Sequence, residues 1–456
     1  MHPSATLAPL LCLSLGIALV TSTRAGDDWP WFLGPHANGI SDETGLLDRW
    51  PASGPPLLWS KSVGAGYSAP SVRGQRLVLH HRVGDQEIVE CLDAATGQTR
   101  WRYGYPSHFV DPYGYNNGPR GTPLLTTNRC YTFGAEGKLL CLDLASGRPV
   151  WQRDSSKDWE IPPAFFGVGS TPVLDRGRLL VMIGGQPNAG MVALDPATGR
   201  TLWESVGEKN WEGATMNFWP GERTLHWQRW EKMASYATPV VAEVNGRPAV
   251  FCFMRQGLVL LEPATGRVDD SFFFQARVNE SVNASDPIVV SNEVFISSAY
   301  YKSGSVLLRV RPDRPKFEVV WHSLALELHF MTPIYHDGYL YAFSGRNPPD
   351  ARFRCVEFQS GKIMWDLDQS WQQDTATPSV YGRGSCLLAD GKLVVLGEGG
   401  LLGCFAPNPK RPEEICRWQV PRLHYPCWTA PVLAQHRLYL RGEDHLVCLD
   451  LARRSR

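Results

Sequence analysis

What the chain lacks narrows its chemistry first. It carries no net charge, since 45 Lys and Arg balance 45 Asp and Glu, and it has no block of five or more like charges. That removes the electrostatic footprint of a nucleic-acid binder and of a polybasic membrane patch. There is no CxxC pair, no adjacent pair of cysteines and no Cys/His spacing of the zinc kind, so metal binding through sulfur is not expected. Helical periodicity is scarce, and beyond residue 20 no apolar run is long enough to span a bilayer. What is plentiful is turn chemistry and aromatic surface: 43 Gly, 35 Pro and 11% aromatic residues in a 456-residue chain that is 43% hydrophobic. Such a composition suits many short strands punctuated by turns around a sizeable core.

Residues 8–20, APLLCLSLGIALV, form the one strongly apolar run, and Thr23 and Ala25 stand three and one residues before a cleavage point at Gly26. Residues 1–25 therefore read as a signal peptide and the mature chain as exported, periplasmic or secreted, or anchored if the run is not cleaved, because no Lys or Arg precedes it. Cys12 follows Pro9-Leu10-Leu11 rather than small residues and does not read as a lipidation site. Export permits disulfides. Of the ten other cysteines, Cys91, Cys141, Cys355 and Cys448 hold one position of a repeated motif and are expected to be buried free thiols. Cys416 and Cys427, flanking one turn, are the least implausible bridge.

That motif is the organising feature. It has the form [C/A]-[hydrophobic]-[D/E]-x-x-[T/S]-G-x-x-x-W and recurs as CLDAATGQTRW (91–101), CLDLASGRPVW (141–151), ALDPATGRTLW (193–203) and CVEFQSGKIMW (355–365). LLEPATGRVDD (260–270) keeps all but the tryptophan, CLDLARR (448–454) is a front half, and looser copies end at Trp321 and Trp418. A second signal precedes each copy: a small or polar residue, a proline, then a β-rich run, with the prolines at 70, 123, 172, 239, 287, 333, 378 and 431. Eight units at 45- to 67-residue intervals mean a solenoid or a propeller. Inside the third unit, TPVLD, LLVMIGG, MVALD and RTLWE are four short strands separated by DRGR, QPNAG and PATG. The expected fold is therefore all-β, an eight-bladed β-propeller of four-stranded antiparallel blades spanning 55–456, with 26–54 as a lead-in.

Ring closure is also legible. The eighth unit stops without a fourth strand, whereas PPLLWSK (55–61) is an orphan strand whose Trp59 lies 11 residues before Pro70, as a blade end should. The N-terminal strand is expected to complete the last blade and remove the open edge.

The motif resembles the tryptophan-docking repeat of the pyrroloquinoline quinone (PQQ) enzymes, eight-bladed propellers that include bacterial methanol and glucose dehydrogenases. The resemblance covers residues 55–450 and is best in the third unit, from Ala193 through Asp195, Thr198 and Gly199 to Trp203. DWPWFLGPHANGIS (28–41) is similar to the lead-in of exported PQQ-like repeat proteins. The resemblance implies that Trp59, Trp101, Trp151, Trp203, Trp321, Trp365 and Trp418 brace neighbouring blades, each packed on the peptide plane of a motif glycine. It implies two function classes. The alcohol-oxidising relatives carry an adjacent Cys-Cys disulfide over the quinone, an Asp base and a calcium held by carboxylate and amide groups. Here Cys-Cys is absent, and Asp286 beside Asn283 cannot be assigned such roles from spacing. The chain is also similar to the propeller lipoprotein of the outer-membrane barrel-assembly machinery, a docking scaffold that needs no cofactor.

Candidate binding residues follow from the repeat. The residue three before each proline should stand at the axial end of an innermost strand: Tyr67, Arg120, Gly169, Tyr236, Ala284, Phe330, Thr375 and Trp428, with Ser235, Asn283, His329 and Asp374 one position earlier. Tyr67, Arg120, Tyr236, Asn283, Phe330, Asp374 and Trp428 are the candidates for lining a channel mouth. Two insertions break the repeat on the same face: the tyrosine-rich 103–120, and 204–235 with Trp211, Trp219, Trp227 and Trp230. The expected function is a noncatalytic exported propeller, a monomer without cofactor, binding a protein or small envelope ligand. The alternative is a PQQ-dependent alcohol or sugar dehydrogenase with calcium.

Overall fold

The computed structural model describes residues 28–161, 166–207, 234–276, 282–314, 316–371 and 379–453, together with the backbone of Trp211–Ala214 and His226–Trp230. Eight four-stranded antiparallel sheets succeed one another along the chain: 71–106, 124–154, 173–205, 240–273, 288–323, 334–368, 384–419, and 432–450 completed by Leu57–Ser62. Helix among the described residues is limited to Ser155–Asp158 and one 3₁₀ turn, Pro348–Asp350. The closing strand Leu57–Ser62 pairs antiparallel with His445–Asp450, setting Trp59 opposite Cys448. The N-terminal strand thus completes blade eight, as the orphan strand predicts.

The repeated motif forms the turn between the third and fourth strands of a blade. Asp195 accepts hydrogen bonds from the Ala197 and Thr198 amides (both 2.9 Å) and from the Thr198 hydroxyl (3.0 Å), which hold its carboxyl below the usual range. Gly199 sits at φ +72°, where a side chain is strained, and a Cβ there would lie 2.8 Å from the Trp151 ring. These aspartates and glycines are spent on the turn. The indole nitrogens of Trp59, Trp101, Trp151, Trp203, Trp321 and Trp365 each donate to a carbonyl of the next blade, at 2.8–3.2 Å.

Trp418 differs. In the other blades the tryptophan stands across from the residue before a β-bulge, as Trp101 does from Cys91. In blade seven that place opposite Cys404 is filled by Cys416. The loop FAPNPKRPEEIC lengthens the motif there and moves the tryptophan two residues past the bracing position, so its ring packs over Gly54 instead. In blade four the same position holds Asp270.

All ten cysteines from Cys91 onward are free thiols. Cys416 and Cys427 do not bridge: Cys416 Sγ accepts from the Trp50 amide at 3.4 Å, and Cys427 Sγ donates to the His424 carbonyl at 3.1 Å. Burial pushes Cys91, Cys355 and Cys448 up to about 12 and Cys141 up to about 11, so the motif cysteines are inert filling.

The lead-in is part of the ring. Trp29, 2% exposed, pairs with Val72 of blade one, and the Pro30 carbonyl accepts from Leu125 of blade two. The chain then crosses the axis to lay Ile40–Ser41 parallel to the innermost strand of blade seven. Phe32 and Leu33 are thereby left in the central channel as its floor.

Candidate functional site

Above that floor the channel opens as a cavity of about 450 Å³ on the face where last strands connect to first strands. The innermost strands position its wall. All but that of blade seven begin one residue after a proline, whose missing N–H costs nothing at a strand start, and the residue just before the proline ties adjacent blades together. Thus Thr122 Oγ1 accepts from Ala69 N (3.3 Å), Thr171 Oγ1 from Thr122 N (3.0 Å), Asp286 Oδ1 from Thr238 N (2.7 Å) and Thr332 Oγ1 from Asp286 N (2.9 Å). With the strands belted in this way, the residue two positions earlier is directed at the cavity.

Of the residues at that position, Tyr67, Arg120, Gly169, Tyr236, Ala284, Phe330 and Trp428 all line the cavity. In the seventh blade the described residue at this place is Arg383; Thr375 and Asp374 lie outside the described residues. Blade seven has Cys386 where other blades have proline, and its inner strand is Gly384–Ala389. The signal that marks it is the turn at Asp390 (φ +48°), four residues after Cys386 as Asp337 (φ +49°) is four after Pro333. Asn283 does not line the cavity. Its amide is buried and donates to the Met254 and Arg255 carbonyls (2.8 and 3.2 Å), which closes the Asn-Ala-Ser glycosylation sequon that begins there. The sequon at Asn279 lies outside the described residues.

Loops complete the wall. Tyr113 and Tyr115 of the tyrosine-rich insertion stand at the mouth, both 54% exposed, and Phe166, Tyr300, Tyr301, Arg346 and Tyr425 come from other connections on this face. The rings form a chain: Tyr67 on Trp428 (5.2 Å), Trp428 on Phe330 (5.8 Å), Trp428 on Tyr115 (5.7 Å), Tyr115 on Phe166 (6.0 Å), Phe166 on Tyr236 (5.7 Å). The longer insertion contributes a hairpin, Trp211–Ala214 with His226–Trp230, whose backbone runs beside the outer strand Val268–Phe273 of blade four. Trp219 and the side chains of Trp211, Trp227 and Trp230 lie outside the described residues.

The electrostatics are one-sided. Arg120, Arg346 and Arg383 line the cavity and, among the described residues, no Asp or Glu does. Arg120 pairs with Asp111 at 2.7 Å. Arg383 is held by Glu398, which is fully buried and also accepts from the Trp371 and Trp428 indoles. Sequence reasoning missed Arg346, Arg383 and Glu398, since each stands outside the repeated signal. His329 bridges Arg383 Nη1 (3.1 Å) and the Tyr300 hydroxyl (3.2 Å). Burial, with Arg383 and Arg346 nearby, pushes it down to about 3, so it is neutral.

Asp286 is the one candidate metal ligand or base named from sequence that is both acidic and axial. It faces a second cavity of about 380 Å³ beneath the lead-in. Burial raises it to about 8 despite the hydrogen bond from the Thr238 amide. A carboxyl raised on folding stabilises the protein fully below its unfolded value of about 3.9 and loses that contribution as pH climbs through the folded value. Asp286→Asn keeps the acceptor without the charge. The variant is expected to match wild type in urea midpoint near pH 4 and to exceed it increasingly toward pH 8. A difference that does not change with pH would contradict the burial argument.

Fold and site together define an eight-bladed propeller with a plugged, aromatic-walled axial pocket. Residues 85–367, well over half of the chain, match the PQQ-like repeat family described as outer membrane protein assembly factor BamB, and the chain belongs to that family. Among solved structures it is similar to BamB from Moraxella catarrhalis, with 14% identity over 88% of this chain and 99% of that one and a TM-score of 0.57. It is also similar to the quinohemoprotein alcohol dehydrogenase from Comamonas testosteroni, with 12% identity over 95% of this chain and 82% of that one and a TM-score of 0.63. A computationally designed protein, Ika8, covers 87% of this chain with all of its own length at 10% identity and a TM-score of 0.53. At such identities the likeness shows the fold alone. No curated protein matches the sequence.

Proposed function

We propose that the protein is an exported, noncatalytic propeller that serves as a binding module of the cell envelope and receives its ligand or partner at the axial pocket. The observation that carries this reading is the acid-free aromatic cavity, ringed by the inner-strand starts and open on the face that bears both insertions. The match to a family described as an outer membrane assembly factor supports the envelope setting. Export itself rests on residues 1–25, which lie outside the described residues. Among the described residues no helix is long and apolar enough to cross a membrane.

The likeness to a quinohemoprotein dehydrogenase gives the competing reading its weight, yet the donor set does not fit a calcium-borne quinone. Calcium takes six to eight oxygen ligands, carboxylates foremost. The cavity lining has no carboxylate, and no cluster of three or more His, Cys, Asp or Glu suited to a metal occurs among the described residues. Asp286 and Asn283 are engaged with backbone groups of other strands. Mixing the purified protein with PQQ and calcium is expected to give no stoichiometric quinone absorption band and no dye-linked alcohol oxidation. A one-to-one band with turnover would replace the binding-module reading by the dehydrogenase.

A further inference from the structure

We propose that the axial pocket is built for a small aromatic monocarboxylate, its carboxylate seated on Arg346 and Tyr300 and its ring against the aromatic wall. This rests on the reading of the pocket as the ligand site and names the class of ligand.

Three observations lead there. The first is the inventory of the lining, which among the described residues offers guanidinium groups, phenols and neutral amide and hydroxyl groups such as Asn347 and Ser385, and no acidic side chain. An aromatic cage alone would suit a cation, but the Arg346 guanidinium on the same wall repels one. A neutral sugar or alcohol could bond to the Asn347, Thr332 and Ser385 groups of the lining but would leave the lining's positive charge unanswered. The ligand that answers cationic side chains unaccompanied by lining carboxylates is an anion.

The second observation separates the three arginines. Arg120 is neutralised by Asp111 and Arg383 by Glu398. Arg346 has no carboxylate within ion-pair distance among the described residues; its guanidinium lies over the Tyr300 ring at 4.4 Å and near Tyr301 at 5.1 Å. A guanidinium that stacks through its face keeps its N–H fork for a bidentate acceptor. The described wall therefore carries one unbalanced positive charge, which one carboxylate would balance.

The third is a hydrogen-bond relay that aims a second donor at the same place. A guanidinium has donors and no acceptor, so Arg383 Nη1 must donate to His329 Nδ1. That fixes the imidazole proton on Nε2, which donates to the Tyr300 oxygen. With its oxygen so occupied, Tyr300 has its own proton left for a ligand. Arg346 and Tyr300 thus converge as charge-bearing fork and neutral donor, while Phe330, Trp428 and Tyr67 supply the stacking surface across from them. His329 acts through Tyr300 and is a positioning residue.

The test is isothermal titration of the full mature chain with 2-naphthoate, with its neutral counterpart 2-naphthylmethanol and with (2-naphthylmethyl)trimethylammonium. Naphthoate is expected to bind one to one, the alcohol at least about tenfold more weakly, and the cation not at all. Arg346→Gln should weaken naphthoate by roughly ten- to a hundredfold and leave the alcohol unchanged, Arg346→Lys should fall between, and Tyr300→Phe should cost about three- to tenfold. Unchanged thermal unfolding of these variants keeps the comparison on binding. If the alcohol binds as well as the acid, or Arg346→Gln leaves naphthoate affinity intact, while Trp428→Ala abolishes both, the anion site is refuted and the pocket reading survives. If none of the three probes binds the wild type, both fall.

Discussion

Trp59→Ala is expected to lower stability by about 3–5 kcal/mol, the range for deleting a buried tryptophan side chain. Trp59 is 9% exposed, packs on Tyr439 at 5.9 Å, and donates from its indole nitrogen to the Ala94 carbonyl of blade one at 3.2 Å. Its ring covers Gly97, which sits at φ +70° with no room for a Cβ. The residue also lies in the strand that closes the ring, so the cavity opens where the two termini meet. Urea unfolding followed by tryptophan fluorescence and by far-UV circular dichroism measures the loss. A shift below about 0.5 kcal/mol, the scale of an ordinary surface change, would show that the closing strand holds without its tryptophan. The same change at Trp151, which is half-buried, should cost less.

Glu398→Gln should cost about as much, roughly 3–5 kcal/mol, for a different reason. The carboxylate is fully buried and serves five donors: Arg383 Nη2 at 2.8 Å, Arg383 Nε at 3.1 Å, the Arg383 amide at 2.8 Å, and the indoles of Trp428 and Trp371 at 3.0 and 3.2 Å. Glutamine turns one acceptor oxygen into an NH₂ that faces donors, and it leaves the Arg383 charge buried without a counterion. The double replacement Arg383→Met with Glu398→Leu should recover much of the loss, because removing both charges ends the uncompensated burial. Equal destabilisation by the single and double variants would assign the cost to packing rather than charge. Glu398 also fixes Trp428, so the single variant should loosen the pocket wall.

The architecture was written in the repeat because every blade must solve the same local problems. Asp143, Gly147 and Trp151 answer a turn, a left-handed backbone and a blade contact within eleven residues, so their spacing shows without coordinates. Departures came where the local rule was met by other residues. Blade seven has Cys386 where the other blades have proline and runs its inner strand over Gly384–Ala389, so the proline signal does not mark it and its described ring member, Arg383, went unread. Its lengthened hairpin set Cys416 in the tryptophan's place. Nor does any periodicity announce that residues 28–41 cross the axis, since single bridges to blades one, two and seven leave no pattern in the sequence.

The sequence by itself determined the number of blades, the closing strand, the inter-blade tryptophans other than Trp418, and seven of the eight positions around the axis. Those depend on contacts between near neighbours in the chain, repeated until they become visible. Only the tertiary structure decided the chemistry of the pocket. Arg346, His329 and Arg383 come from different connections, and Glu398 acts on the wall from behind it. Their meeting depends on closing a ring of about four hundred residues, a distance over which sequence spacing carries no information about which side chains will face one another.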